Sequence, residues 1–466
     1  MTFSKDVNLD QLIKVYSDTD QFEYLEPNFI GYAAGRMAVS DVMPNDIHFN
    51  RQYGLFNDGS FSLSPSKEDA DIDMELAWEI EQGDPSITVA VLDSGLKMDH
   101  PEFDSRLWEN PGELIDGQDN DMNAYSDDIN GWDFANDDND PSDDHGHGTN
   151  VAGILAATGN NDIGYAGVDW NCKIMTCKII NEDNFGFYTW WADAIYYAVD
   201  NGAKVLNMSV GGSSYSRFLE DAVNYAYENG VTIVASMMNE NNDLPYYPAA
   251  FLNTIAVGST DANDFRSSPF FWNNSSGSCY GEHIDVVAPG NYIYGLSYQS
   301  NVNYSSYWGG TSQAAPLVAG LASLLLAQNP SRSPDEIRSI IINSAEDQVG
   351  ESFEDVAGFD IYYGYGRINA YEALLSDISS TTELSPITDI SIYPNPIRDF
   401  VNIECEAGMK DLYIRDIRGT LVHVSDDLKG TKELELNLMY LPPGKYMIQI
   451  VSPQGLHFNS MLVMMP

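Results

Sequence analysis

Five short segments of nearly continuous apolar residues recur along the chain, and helical segments alternate with them. These strand candidates read ITVAVLDSG, CKIMTCKII, KVLNMSV, VTIVASM and NTIAVGS. Strands that lack a polar face are typical of parallel sheets buried on both sides. Parallel neighbours also need a crossover connection, which the intervening helices supply. The pattern therefore predicts an α/β fold, a doubly wound parallel sheet with helices on both faces.

One helix candidate, TSQAAPLVAGLASLLLAQNP, is apolar nearly all round, unlike the others. A helix that is apolar on every side is buried in the core of a protein. We therefore expect this segment to be the central buried helix. The other helix candidates are TNVAGILAATG, YTWWADAIYYAVDNG and SRFLEDAVNYAYENG, the last two stopped by glycine.

The composition changes near residue 378. Residues 378–388 (ISSTTELSPIT) are rich in Ser and Thr, which is typical of a linker. From residue 389 the pattern becomes short alternating strands: DISIYPNP, DFVNIEC, DLYIRDIRG and GKYMIQIVS. This pattern predicts a small all-β sandwich at 389–466 that follows an α/β domain at 46–377.

The charge balance narrows the classes of partner. The chain carries 70 acidic and 22 basic residues, for a net charge of −48. Phosphate groups and anionic membranes are bound by clustered Lys and Arg, so neither nucleic acid nor an anionic lipid surface is an expected partner. Eleven Asp and no Lys or Arg fall within residues 115–144. Either this surface is strongly solvated, as suits salty or cold water, or its carboxylates bind cations.

The four cysteines, Cys172, Cys177, Cys279 and Cys405, match no zinc-binding spacing. Cys172 and Cys177 are an odd number of residues apart in a predicted strand, so they should lie on opposite faces and form no disulfide. We expect four buried free thiols. No run of 18 apolar residues predicts a transmembrane helix. The first residues lack the apolar core of a signal peptide, so a secreted protein of this sequence is expected to have lost its signal.

Three groups with acid–base or nucleophilic chemistry stand at predicted strand ends or helix starts. Asp93 ends the strand ITVAVLD, His147 lies between two glycines before a small-residue helix, and Ser312 begins the buried helix. Each alone has a structural explanation, as a turn residue, a structural histidine or a helix cap. Together they are the groups of an acyl-transfer triad, placed where α/β active sites form.

The chain resembles the subtilisin family of serine endopeptidases over roughly residues 71–375. The resemblance rests on VAVLDSGLKMDHPEF, DDHGHGTNVAGILAA and GTSQAAPLVAG, and extends to VLNMSVGG and YYGYGRINAYEAL. It implies that His147 takes the proton of Ser312 and passes it to the leaving amine, while Asp93 holds the imidazole tautomer. The expected substrates are proteins and peptides, and we expect the enzyme to act as a monomer.

The resemblance also implies binding residues. Asn239 occupies the position of the side-chain oxyanion donor, and Ser209, Val210, Gly211 and Gly212 match the strand that pairs with an extended substrate. Met238 stands where the family usually has Gly, and this departure favours a second hypothesis. That alternative is a catalytically weakened protease-like protein that binds peptides or surfaces.

Further departures surround the triad without removing any of its atoms. Asn150 replaces a common His after His-Gly-Thr, and Gln313 and Leu317 replace a common Met and His on the nucleophile helix.

The acidic stretch DGQDNDMNAYSDDINGWDF alternates side-chain oxygens, as in flexible loops that surround calcium. It is no EF-hand, because Ala124 stands where the turn glycine is needed and no Glu stands at the twelfth position. The alternative is a solvated acidic loop. The candidate ligands are Asp119, Asp121, Asn123, Asp127 and Asp128, with a second set at Asn136, Asp138 and Asp140.

A third calcium site is implied by the resemblance of TGNNDIGYAGV to the family's calcium loop. Its ligands would be the side chains of Glu102 and Asn161 and the carbonyl oxygens of Gly159, Ile163 and Tyr165. We predict Ca²⁺ as a structural cofactor at one or more of the three sites.

Both ends of the chain carry further resemblances. SIYPNPIRDFVNI, IRDIRGTLV and LPPGKYMIQIV are similar to the sorting domain of type IX secretion in Bacteroidota, which implies a secreted or cell-surface protein and the secretion machinery as a partner. A generic carbohydrate-binding or adhesion sandwich is the alternative. FEYLEPN resembles the last strand of a subtilisin prodomain, so residues 1–45 are expected to be its remnant.

Overall fold

The computed structural model describes residues 42–378, 390–393, 400–416, 421–425, 428–442, 444–451 and 457–464. The chain divides into two compact units near residue 375, which are described separately. The predicted prodomain remnant at 1–45 lies outside the described residues except for 42–45. The predicted linker at 378–388 lies outside them except for residue 378. No helix among the described residues is long and apolar enough to cross a membrane.

The first unit is built on a seven-stranded sheet in which every neighbouring pair is parallel. The strand order is β2-β3-β1-β4-β5-β6-β7. All five predicted strand segments contribute to it, which confirms the predicted doubly wound sheet. The strands are β1 (Thr88–Asp93), β2 (Gly131–Asp133), β3 (Lys173–Lys178), β4 (Val205–Met208), β5 (Thr232–Ser236), β6 (Ile255–Thr260) and β7 (Val286–Pro289).

Burial on both faces explains the apolar strand sequences. Along β1, Val89 and Val91 belong to one buried cluster while Ala90 and Leu92 belong to another. Successive side chains of a strand point to opposite faces, so the two clusters lie on the two sides of the sheet. Cys172 and Cys177 also fall in different clusters, and all four cysteines are free and buried, as predicted.

Helices cover both faces. One face carries the central helix, and residues 311–326 of that helix are all buried, as its sequence predicted. Sequence reasoning missed β2, β7 and the two last helices, which are short or flanked by long loops. The helices are α1 (Met74–Ala77), α2 (His147–Ala156), α3 (Tyr188–Asp200), α4 (Arg217–Glu228), α5 (Thr311–Gln328), α6 (Pro334–Ser344) and α7 (Ala370–Ile378).

Two short strands, β8 (Ile293–Tyr294) and β9 (Tyr307–Trp308), pair as an antiparallel ribbon. They precede α5 in the sequence. The second unit has two antiparallel sheets, with strand orders β10-β11-β14 and β13-β12-β15-β16. Residues of both sheets share one buried apolar cluster, which is the sandwich that the alternating pattern predicted. Its strands are β10 (Ile390–Tyr393), β11 (Phe400–Met409), β12 (Asp411–Asp416), β13 (Leu421–Ser425), β14 (Thr431–Asn437), β15 (Gly444–Val451) and β16 (His457–Met464).

Candidate active site

The fold brings the three predicted catalytic residues to the carboxyl-terminal edge of the sheet. Asp93 is the last residue of β1, and His147 is the first residue of α2. Ser312 is the second residue of the central helix α5. Strand ends and helix starts expose one or two side chains from an otherwise apolar framework, so these positions can hold polar groups without breaking the core.

A short hydrogen bond joins the acid and the base. The Nδ1 atom of His147 lies 2.7 Å from Oδ1 of Asp93, and Asp93 is fully buried. The same carboxylate oxygen accepts the backbone N–H of Ser94 at 2.7 Å. With Nδ1–H donating to the carboxylate, Nε2 of His147 is the ring atom left to accept a proton.

Two opposing effects set the basicity of His147. Burial is the largest single effect and lowers the pKa of the imidazole, but the charge and hydrogen bond of Asp93 and the charge of Asp143 together outweigh it. The pKa of His147 therefore lies above its ordinary value. The charge of Asp93 favours the imidazolium that forms when the base takes a proton.

Glycines on either side of His147 allow the backbone to pack closely around it. A Cβ at Gly148 would lie 2.2 Å from the carbonyl oxygen of Gly95, and Gly146 has φ +104°, which favours glycine. The Trp308 ring meets the His147 ring nearly edge-on with centroids 5.7 Å apart. The imidazole is thus held between a tightly packed backbone and an aromatic side chain.

The nucleophile rests on the neighbouring strand end. Oγ of Ser312 donates to the carbonyl oxygen of Ser209 at 3.1 Å, and Oγ of Ser209 donates to the carbonyl oxygen of Ser312 at 2.8 Å. In this arrangement the Ser312 hydroxyl is bonded to Ser209 and not to the His147 ring. The hydroxyl proton must leave the Ser209 carbonyl and turn to Nε2 of His147 before it can be transferred.

Asn239 lies in the turn after β5 with its amide orientation fixed. Its Oδ1 accepts the backbone N–H of Thr311 at 2.9 Å and the Thr311 hydroxyl at 3.2 Å. Since the oxygen is used by Thr311, the Nδ2 donor is the free end of the amide. A Cβ at Gly310 would lie 3.1 Å from that Nδ2 atom, so the donor faces the backbone that precedes Ser312.

Met238 adopts a left-handed backbone conformation, with φ +72°. Flanking hydrogen bonds hold it there: Met237 N–H donates to Val257 O, and Cys279 N–H donates to Met238 O, both at 3.0 Å. Its side chain lies against the predicted substrate strand, since a Cβ at Gly211 would be 2.7 Å from the Met238 sulfur. The thioether therefore lines the wall formed by Ser209–Gly212.

The acidic loop gathers three carboxylates that could hold a metal ion: Glu113, Asp121 and Asp128. Asp128 is fully buried and Glu113 nearly so. Of the predicted ligands, Asn123 touches this cluster through Nδ2, which donates to Asp121 and Asp128 at 3.1 Å each.

Two other predicted ligands of this loop use their carboxylates on the backbone. Asp119 accepts the N–H groups of Asn123 and Ala124, and Asp127 accepts those of Asp116 and Gly117. Sequence reasoning missed Glu113, because it lies outside the alternating run.

The second predicted set lies on a tight turn after β2. The Asn136 amide donates to Asp133 at 2.8 Å, Asp138 accepts the backbone N–H of Asp140, and Asp140 accepts Ser142. Asp133 is buried and was not predicted.

The third predicted set converges on Glu102. Its two carboxylate oxygens accept the backbone N–H of Tyr165 at 3.0 Å and the Asn161 amide at 2.8 Å. Sequence reasoning missed Asp46, whose Oδ2 accepts the N–H of Asn160 at 2.6 Å while its buried Oδ1 has no partner among the described residues. Burial raises the pKa of Glu102 to about 7 and that of Asp46 to about 6.

Comparison with known proteins agrees with this geometry. The family model described as "Subtilase family" matches residues 84–366. The model described as "Secretion system C-terminal sorting domain" matches residues 391–464.

Individual relatives cover most of the first unit. Thermitase from Thermoactinomyces vulgaris is 37% identical over 332 residues, which cover 71% of this chain and 99% of thermitase. A thermophilic serine proteinase from a Bacillus species is 34% identical over 370 residues, covering 79% of this chain and 76% of that protein. A solved structure described as proteases from Pseudoalteromonas arctica superposes with a TM-score of 0.55 at 26% identity, covering 72% of this chain and 99% of that one.

We predict that Asp93→Asn shifts the midpoint of the acidic limb of the pH–activity profile to lower pH. Removing the carboxylate charge lowers the pKa of His147, and the neutral imidazole needed as base then persists to lower pH. Turnover should also fall by roughly 10⁴-fold, because the tautomer is no longer held. The measurement is the pH profile of kcat/KM, with the exposed Asp104→Asn as a matched control. An acid limb that stays in place would contradict the account.

Proposed function

Because this chain belongs to the subtilase family, we propose that it hydrolyses internal peptide bonds through an acyl-enzyme, with Asp93, His147 and Ser312 as its triad. The observation that carries this proposal is the 2.7 Å hydrogen bond between the buried Asp93 and the ring of His147. The C-terminal sorting domain implies a secreted or surface-attached enzyme, and we extend this to a partner in the secretion machinery.

The groups present account for each step. An extended peptide pairs with the backbone of Ser209–Gly212 as an added strand. When that pairing engages the Ser209 carbonyl, the Ser312 hydroxyl loses its acceptor and turns towards His147. His147 then takes the hydroxyl proton as Oγ attacks the carbonyl carbon, and later gives it to the leaving amine. Nδ2 of Asn239 donates to the oxyanion.

The weakened, non-catalytic alternative is not favoured. It depends on Met238, which stands beside Asn239 where the family usually has Gly and could shift it. The amide of Asn239 is instead fixed from the other side by Thr311, and the acid–base pair is intact.

We predict that Ser312→Ala and His147→Ala each abolish nearly all peptidase activity without unfolding the chain. The two residues act as a unit, so the double variant should lose no more than either single one. The measurement is peptide hydrolysis together with the melting curve of each variant. Turnover near the wild-type level in either variant, with the fold intact, would refute the triad.

We also propose that Met238 narrows the pocket for the residue before the scissile bond. Its sulfur lies against Gly211, so it occupies space on that wall. The wild type should therefore prefer Ala, Val or Leu over Phe or Tyr.

The expected effect of Met238→Gly is a shift of the Phe-to-Ala preference towards Phe by a hundredfold or more, since each methylene in such a pocket is worth roughly 1–3 kcal/mol. A peptide library measures this ratio. Met122→Gly is the matched control, because Met122 is exposed and also has positive φ. A wild type that already prefers Phe, with a ratio that Met238→Gly leaves unchanged, would show the idea to be wrong.

We further propose calcium as a structural cofactor. Hard oxygen ligands suit calcium, and the carboxylates of Glu113, Asp121 and Asp128 gather in one place. A bound ion would require the amides of Asn161 and Asn123 to turn their oxygens towards it, since their nitrogens donate to the carboxylates here. The partnerless buried oxygen of Asp46 fits a bound cation beside Glu102. Asp46 and Glu102, with Asn161 and nearby carbonyl oxygens, would hold one ion. Bound there, the ion would tie the segment before β1 to the loop after α2.

Removing calcium should lower the melting temperature and hasten self-digestion. A ligand that binds only the folded state at a hundredfold excess over its Kd stabilises that state by about 2.7 kcal/mol. The measurement is the melting curve after dialysis against chelator and after calcium is restored. Glu102→Gln should lose part of the calcium-dependent increase, whereas the exposed Glu182→Gln should keep all of it. A melting curve that chelator does not change would overturn the proposal.

A further inference from the structure

A buried pair of side-chain amides links the two helices that carry the base and the nucleophile. Asn150 lies three residues after His147 in α2, and Gln313 follows Ser312 directly in α5. Nε2 of Gln313 donates to Oδ1 of Asn150 at 3.1 Å. Asn150 is fully buried and Gln313 is 1% exposed, so the contact is made inside the core.

Burying this amide pair is less favourable for stability than burying apolar side chains of similar shape would be. Nδ2 of Asn150 is buried and has no hydrogen-bond partner among the described residues. It fits only because residue 295 is glycine, since a Cβ there would lie 2.0 Å from this nitrogen. A buried donor without a partner costs free energy, and apolar side chains of similar shape are often as stable or more so. The fold therefore retains a polar contact that packing does not require.

The other end of the Gln313 side chain lies beside Gly310, which Asn239 also borders. A Cβ at Gly310 would lie 3.2 Å from Oε1 of Gln313 and 3.1 Å from Nδ2 of Asn239. With Nε2 committed to Asn150, the oxygen of the Gln313 amide lies beside Gly310. One side chain thus contacts the helix of the base and borders the turn of Asn239.

We infer that Asn150 and Gln313 are positioning residues that set the spacing of α2 and α5, and so align His147 with Ser312. This inference rests on the triad proposed above. Ser312 is hydrogen-bonded to Ser209 rather than to His147, so the alignment of base and nucleophile depends on how their two helices pack. The amide pair is a directional contact within one turn of both residues, and a hydrogen bond fixes distance and angle where apolar contacts permit sliding.

The test uses the full chain with Asn150→Leu, Gln313→Leu and the double variant. Active enzyme is counted by titration with a fluorophosphonate probe, and kcat, KM and the melting temperature are measured for each. Each single variant should lower kcat about ten- to hundredfold, because small misplacements of reacting groups have effects of that size. KM should change by less than about twofold, since the substrate strand is untouched.

The double variant separates positioning from packing. It removes both amides, so its melting temperature should equal or exceed that of the wild type. Its kcat should nevertheless stay as low as that of the single variants. Asn253→Leu is the matched control, because it removes another amide–amide hydrogen bond. Nδ2 of Asn253 donates to Oδ1 of Asn224, a residue of α4, at 2.8 Å. This control should leave kcat unchanged.

The inference would be overturned if the double variant had both the kcat and the melting temperature of the wild type, since packing alone would then explain the pair. Single variants with unchanged kcat, in an enzyme whose activity depends on Ser312, would overturn it while leaving the proposed function standing. A wild type without Ser312-dependent hydrolysis would overturn both.

Discussion

The burial of a parallel sheet on both faces is the constraint on which the rest of the structure depends. The seven strands of this sheet carry charged residues only at their ends, and parallel strands end at the same edge. Three neighbouring strands, β1, β4 and β5, deliver Asp93, Ser209 and Asn239 to that edge. The starts of α2 and α5 add His147 and Ser312 above it. The position of the active site therefore follows from the packing of helices on a parallel sheet, which brings strand ends and helix starts together at one edge.

Backbone conformation limits which residues can line this edge. Gly146 has positive φ and tight surroundings that no larger residue could share. Met238 breaks this rule, since a non-glycine residue in the left-handed region costs roughly 1–3 kcal/mol. Local rules are most often broken where function benefits. The benefit that we propose for Met238 is a narrower specificity pocket, since its sulfur lies against Gly211 of the proposed substrate strand.

The sequence predicted the parts whose signal is local. Apolar runs identified five strands and the central helix, and three long motifs identified Asp93, His147 and Ser312. It did not predict β2, which has only three residues, or β7, whose four residues end in a proline, a residue that argues against a central strand. Asp46 and Glu113 were missed for another reason. Asp46 meets Asn160 only through the tertiary fold. Glu113 meets Asn120 and Asp121 in its own loop, but it stands before the alternating run on which the prediction relied.

The resting hydrogen bond of Ser312 was also beyond sequence reasoning. Sequence order indicates that a serine and a histidine share a site, but not which acceptor the hydroxyl chooses before substrate arrives. The structure shows the hydroxyl on Ser209, and this is the basis of our inference that the packing of α2 against α5 aligns Ser312 with His147.

The central claim is that the Asp93–His147 pair activates Ser312 as the nucleophile. The most direct measurement is peptide mass analysis of the full chain after reaction with a fluorophosphonate. The account predicts one adduct, on Ser312, that forms faster as pH rises and His147 loses its proton. A folded chain that forms no adduct, or that carries its adduct on another serine, would contradict the claim.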